Sequence, residues 1–135
     1  KGARFGVKIA DLTTTFLSYD SGRKESIAPH VNIAAQYAYP VLTEGLVVTA
    51  AAEAETYFEN RRWASQYWRG DVSCDLHLGL EANYRDRVFG RLGSDAGVFA
   101  AGAGFAVGRW GVDAALTDHE FLDNSYRISL RFMWE

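Results

Sequence analysis

With 135 residues, 48% of them hydrophobic and 14% aromatic, the chain reads as one folded domain over residues 1–135 and not as a disordered segment. A net charge of -3, with its basic residues scattered, leaves no footprint for nucleic acid. The single cysteine, Cys74, leaves no intramolecular disulfide framework and no thiolate metal cluster.

No run approaches the roughly 20 apolar residues of a spanning helix, which excludes helical membrane proteins only. A barrel strand crosses with about 9–11 residues, half of them apolar. Lys1-Gly2-Ala3-Arg4 lacks the apolar core of a signal peptide, as expected of a mature outer-membrane chain or a fragment.

In chain order, a weak strand is predicted over Ala3 to Ala10. A long connection follows from Asp11 to Pro29, and then a strand in which Val31, Ile33, Ala35, Tyr37 and Tyr39 share one face. After Pro40 to Gly45, the set Leu46, Val48, Ala50, Ala52, Ala54, Thr56 and Phe58 alternates with a second set that carries Glu53, Glu55 and Glu59. The clearest alternation comes next. Val72, Cys74, Leu76, Leu78, Leu80, Ala82 and Tyr84 are apolar or aromatic, while Ser73, Asp75, His77, Gly79, Glu81 and Asn83 are polar or glycine. A helix would scatter both sets around its axis, so this is a strand with one apolar face. Weaker strands are predicted at Val88 to Gly93, Val98 to Val107 and Trp110 to Leu116. The last places Tyr126, Ile128, Leu130, Phe132 and Trp134 against Ser125, Arg127, Ser129, Arg131 and Met133.

About eight antiparallel strands follow by these rules, an even number that suits an up-and-down transmembrane β-barrel. The connections at 40–45, 85–87 and 108–109 are short, and those at 11–29, 59–71 and 117–124 are long. Only Ser94 to Gly97 is short where a long one is due. Short turns on one side and long loops on the other are the pattern of outer-membrane barrels, with the turns and both termini periplasmic. Phe5, Tyr39, Tyr84, Phe105, Trp110 and Trp134 then form an outward aromatic girdle near the periplasmic strand ends. A soluble β-barrel binding protein, with the apolar sets facing a core, is the competing reading of the same alternation.

Several segments carry a family resemblance. They are Asp11-Leu12-Thr13-Thr14-Thr15 with Ser21 to Pro29, Leu78-Gly79-Leu80-Glu81-Ala82 with Val88 to Gly93, Gly102-Ala103-Gly104-Phe105, Gly111 to Ala115, and Leu122 to Leu130. In this order they resemble the C-terminal part of the PorV/PorQ-like outer-membrane proteins, which belong with the FadL-like barrels. Ala115 and Asp123 stand where the family commonly has an aromatic residue and a glycine, and Met133-Trp134-Glu135 follows the usual terminal aromatic.

The resemblance implies a non-enzymatic bacterial outer-membrane protein with a role in surface export or partner binding. The alternative is FadL-like transport of hydrophobic small molecules. It also implies that these strands are either a complete small barrel or the C-terminal part of a larger one. The expected partners are the lipid bilayer, a secretion-system or surface protein, and the barrel-assembly machinery. The C-terminal strand, through Tyr126, Leu130, Phe132 and Trp134, resembles the signal which that machinery reads.

No cofactor, metal or catalytic residue is expected. The run Gly102 to Gly108 has GxGxxxG spacing without a strand-to-helix transition, so its glycines are assigned to bending or close packing and not to phosphate. Asp75, His77 and Glu81 near Ser73 could be imagined as a metal or hydrolase group. The expected role is a luminal polar network of Glu53, Glu55, Asp75, His77, Glu81, Arg91, Asp113, Arg127 and Arg131. His30 and His119 are expected to be solvated, and Cys74 to act as a small hydrophobe. The loop 60–71 joins Arg61, Arg62 and Arg69 to Trp63, Tyr67 and Trp68. It is the candidate binding surface, with a plug over the barrel mouth as the alternative.

Overall fold

A computed structural model describes residues 2–22, 24–41, 44–118 and 124–134. The expectations for His119, Leu122, Asp123 and Glu135 lie outside them. Among the described residues eleven strands form and there is no helix. Eight are long: β1 (Gly2–Ala10), β4 (His30–Pro40), β5 (Leu46–Tyr57), β7 (Val72–Tyr84), β8 (Val88–Asp95), β9 (Val98–Val107), β10 (Trp110–Thr117) and β11 (Ser125–Phe132). They make one antiparallel meander in that order. The short strands β2 (Thr15–Ser18) and β3 (Lys24–Ile27) form a separate hairpin, and β6 (Tyr67–Arg69) pairs with the start of β7.

The register carries the alternation from strand to strand. Val7 lies opposite Ile33, Ile33 opposite Ala54, and Ala54 opposite Leu76. Further along, Leu80 faces Leu92, Leu92 faces Ala101, Ala101 faces Leu116 and Leu116 faces Tyr126. Directly opposed residues share a face, so one apolar face runs unbroken across all eight long strands. A slip of one residue at any ladder would break it.

Nothing covers that face among the described residues. No hydrophobic side chain is buried, and Phe5, Leu78, Leu80, Leu92, Phe105, Ile128 and Leu130 are exposed. A soluble sandwich or barrel of this size would place these residues in a core.

Among the described residues the sheet is open, which corrects the first of the two expectations, a small barrel complete within this chain. Among the described residues β1 pairs only with β4, and β11 only with β10. The polar face supplies a physical reason: the edge strands bring Arg4 and Lys8 on one side and Arg127 and Arg131 on the other, with no carboxylate on either strand.

Tight turns set the meander's reversals. Ala96 and Gly97 both have positive φ, at 48° and 90°, and join the opposed residues Asp95 and Val98 in a two-residue hairpin. Such turns require left-handed backbone at both centres. The turn after β7 holds Arg85 and Asp86 at φ 53° and 54°. It is braced by Asn83, whose Nδ2 donates to Asp86 Oδ1 (2.8 Å) and whose Oδ1 accepts from Asp86 N (3.0 Å).

Candidate functional site

The most constrained group lies where the polar face meets the 58–71 loop. Strand β8 stops opposite His77, leaving Val72 to Cys74 of β7 without a neighbour on that side. Strand β6 takes the place. The chain leaving β5 on one flank of β7 must therefore cross the polar face of β7 to reach β6 on the other. That crossing buries two polar side chains, Ser73 (0% exposed) and Asp75 (6%).

Both are satisfied. Ser73 Oγ accepts from Arg61 N (2.9 Å) and donates to Glu59 O (2.9 Å). Asp75 Oδ1 accepts from Gln66 N (2.7 Å), and Oδ2 lies 3.8 Å from Arg61 Nη1. Gln66 Oε1 in turn accepts from Leu76 N (2.7 Å). Arg61 is also held over the Tyr57 ring, 3.8 Å from its centroid.

The loop therefore divides its arginines. Arg61 anchors it. Arg62 lies over Trp63 and Trp68, 4.9 and 5.1 Å from their ring centroids, and Trp63 is 90% exposed. Tyr67 and Arg69 lie opposite Cys74 and Val72 on the apolar side, while Trp68 lies opposite Ser73. Arg61 and Gln66 thus tie the loop to β7, while Trp63 stands exposed.

Beside the anchor runs a row in which carboxylates and imidazoles alternate. Asp11 Oδ2 lies 3.7 Å from His30 Nδ1, and His30 Nε2 lies 3.5 Å from Glu55 Oε1. His77 Nε2 lies 3.6 Å from Glu55 Oε2, and His77 Nδ1 is 2.7 Å from Asp95 Oδ1. His30 also stacks on Tyr57 at 5.2 Å. The solvated role expected of His30, apart from His77, is corrected by this geometry: both histidines meet the same carboxylate. Lone histidines 47 positions apart in the sequence carry no signal of it. The opposition of Glu53 with His77 and Glu55 with Asp75 follows only from the register. Glu53 accepts from Asn32 Nδ2 (2.5 Å).

A second polar group spans β7, β8 and β10. Arg91 Nε donates to Glu81 Oε2 (2.6 Å) and Nη1 to Asp113 Oδ1 (3.2 Å). The reach across β9 is possible because Gly102 and Gly104 face the same side. A Cβ at Gly104 would collide with Asp113 Oδ1. Gly104→Val is expected to lower stability by about 1–3 kcal/mol through this overpacking, read from the unfolding midpoint of the refolded protein. Glu81→Gln is expected to cost less than about 1 kcal/mol in the same measurement, because the pair is solvated.

Among the described residues Arg127 and Arg131 form no ion pair; Arg131 lies over Gly111, where a Cβ would meet its Nε and Nη2 at 3.3 Å. The expected network therefore divides: Glu81, Arg91 and Asp113 form one bridge, Glu55, His77 and Asp75 lie in the histidine row and its loop anchor, Glu53 meets Asn32, and both edge arginines lie outside these groups. No group of three or more His, Cys, Asp or Glu among the described residues is arranged to hold a metal ion.

Comparison with family models, curated proteins and solved structures gives no match. The site is read from its own geometry.

The six aromatics expected to form a girdle are all exposed. Tyr39, Tyr84, Phe105 and Trp110 lie within two residues of the strand ends where the short turns are. Trp134 follows β11, and its ring approaches Phe132, which packs on Trp110 at 4.6 Å. Phe5 lies deeper, opposite Ala35 in the middle of β4. Cys74 is half-buried and unpaired by disulfide.

Proposed function

We propose that this chain is part of the wall of a bacterial outer-membrane β-barrel, non-enzymatic and PorV/PorQ-like, which serves surface export or partner binding. One observation carries the reading: an apolar face continuous over eight strands, with no layer packed on it and no buried hydrophobic side chain among the described residues. In water such a face lies far beyond the few hundred Å² of apolar patch that a soluble monomer tolerates, whereas hydrocarbon is its natural surround. Strands of 8–13 residues suit the roughly 9–11 that a tilted crossing needs.

Within this reading, the polar face distinguishes the two roles. Its lining by Glu53, Glu55, Asp75, His77, Glu81 and Arg91, beneath an anchored loop that presents Arg62 and Trp63, favours handling of a polar or protein partner over passage of a hydrophobic molecule.

The test is physical. The purified chain is expected to require detergent, to be rich in β-structure and to shift its electrophoretic mobility on heating. A monomer that stays soluble without detergent overturns the proposal. For the role, Trp63→Ala with Arg62→Ala is expected to abolish partner capture without changing the mobility shift.

A further inference from the structure

The apolar face carries one charge. Among the described residues, every side chain that the strands of the main sheet place on that face is uncharged except Arg69 of β6. The ladder fixes its side: Arg69 is opposed to Val72 and Tyr67 to Cys74, and opposed residues share a face. Arg62, which also forms no ion pair among the described residues, lies over Trp68, and Trp68 is opposed to Ser73 on the polar side. The loop 58–71 therefore holds one unpaired arginine toward each side of the sheet.

Arg69 is exposed, and its side chain has no hydrogen-bond or ion-pair partner among the described residues. Tyr67, two residues away on the same face, is exposed as well, so a phenol and a guanidinium stand side by side. Their depth follows from β7. Val72, opposed to Arg69, lies six residues from Leu78 at the strand's centre, and Tyr84 at the short-turn end lies six residues from it the other way. Six residues span roughly 20 Å along a strand, or about 15 Å along the membrane normal at a tilt of about 40°. Half of an apolar band about 25 Å tall is less than that. Arg69 thus stands just outside hydrocarbon, at the level of lipid headgroups.

A lone cation on a lipid-facing surface is costly unless an anion meets it. A guanidinium offers parallel N–H donors that match the oxygens of a phosphate. An interfacial tyrosine sets its ring against the acyl boundary and its hydroxyl among the headgroups. We propose that Arg69 and Tyr67 bind the phosphate of an anionic lipid on the outside of the wall, apart from the partner surface at Arg62 and Trp63. This rests on the membrane-wall reading, which supplies the lipid and the side from which it approaches. The loop is then held from both faces, by Ser73 and Asp75 on the polar one and by a lipid on the other.

The detergent-refolded full chain is titrated with phosphatidic acid and with diacylglycerol of the same acyl chains, and the lipid retained per chain is counted by native mass spectrometry. The parent is expected to hold phosphatidic acid about tenfold more tightly than diacylglycerol, and Arg69→Gln is expected to remove most of that preference. Arg131→Gln, the same change of charge on the polar face, is expected to leave it intact. Inorganic phosphate at the concentration of the lipid is expected not to compete.

An affinity for phosphatidic acid that Arg69→Gln leaves unchanged overturns the proposal and assigns the arginine to a protein partner instead. Equal losses in Arg69→Gln and Arg131→Gln overturn it too, since they mean attraction by net charge alone. Competition by inorganic phosphate does the same, by showing an anion site that needs no lipid. The heat-dependent mobility shift confirms folding of each variant, and Tyr67→Ala, expected to weaken retention severalfold, takes the place of Arg69→Gln if that variant fails to fold. Failure of the wall reading itself appears separately, as a chain soluble without detergent.

Discussion

On the proposed membrane-wall reading, Leu78→Arg is expected to lower the stability of the detergent-folded protein by about 2–4 kcal/mol, the cost of a basic side chain facing lipid near the bilayer midplane. Leu78 is the central residue of β7 and is exposed on the apolar face. Its ladder neighbours Ala52 and Ser94 offer no counter-charge. Gly79→Arg, one residue along, is expected to be tolerated. Its side chain emerges on the polar face, no atom lies within 4 Å of a Cβ there, and Glu53 and Glu81 lie on the same face. Unfolding in urea, followed by the heat-dependent mobility shift, measures both. A tolerated Leu78→Arg beside a damaging Gly79→Arg inverts the assignment of faces.

Asp75→Ala is expected to cost roughly 1–3 kcal/mol, because it removes a buried carboxylate that accepts from Gln66 N and leaves Arg61 with Glu59 as its one remaining ion-pair partner among the described residues. The loss concentrates in the loop. Trypsin is expected to cut after Arg61, Arg62 or Arg69 in the variant under conditions where the parent loop survives, while the meander stays intact. Asp75→Asn keeps an oxygen for Gln66 N and loses only the charge, so its loop is expected to be cut more slowly than that of Asp75→Ala. Equal resistance of parent and Asp75→Ala means that the crossing loop is held by something other than this carboxylate.

The eight long strands are legible in the sequence because each has enough residues for a period of two to be counted. The alternation over Val72 to Tyr84 has the bounds of β7 itself, and that over Val88 to Gly93 falls short of Asp95 by two residues. The hairpin β2–β3 and strand β6 are not legible. They have four, four and three residues, too few for alternation to separate a strand from a loop. The burial of Ser73 and Asp75 depends on β6 lying on the far side of β7, a fact of pairing that no local pattern encodes. Pairs across the ladder are partly legible: Arg91 with Glu81 and Asp113 follows from charge on matching faces. Glu55 between His30 and His77 does not, because it needs the register of three strands at once. Closure is the least legible feature, since it depends on what each edge strand meets and not on any residue's own periodicity.

The meander order has a consequence for how such a sheet can change in length. Every long strand pairs with the long strands just before and just after it in the chain, so each hairpin is a self-contained increment and contacts stay local in sequence. Gain or loss of two adjacent strands preserves the up-down direction and the facing of every remaining residue. Gain or loss of one reverses the direction of all that follows. A sheet of this topology is therefore extensible in steps of a hairpin, and its width can vary without redesign of any existing ladder.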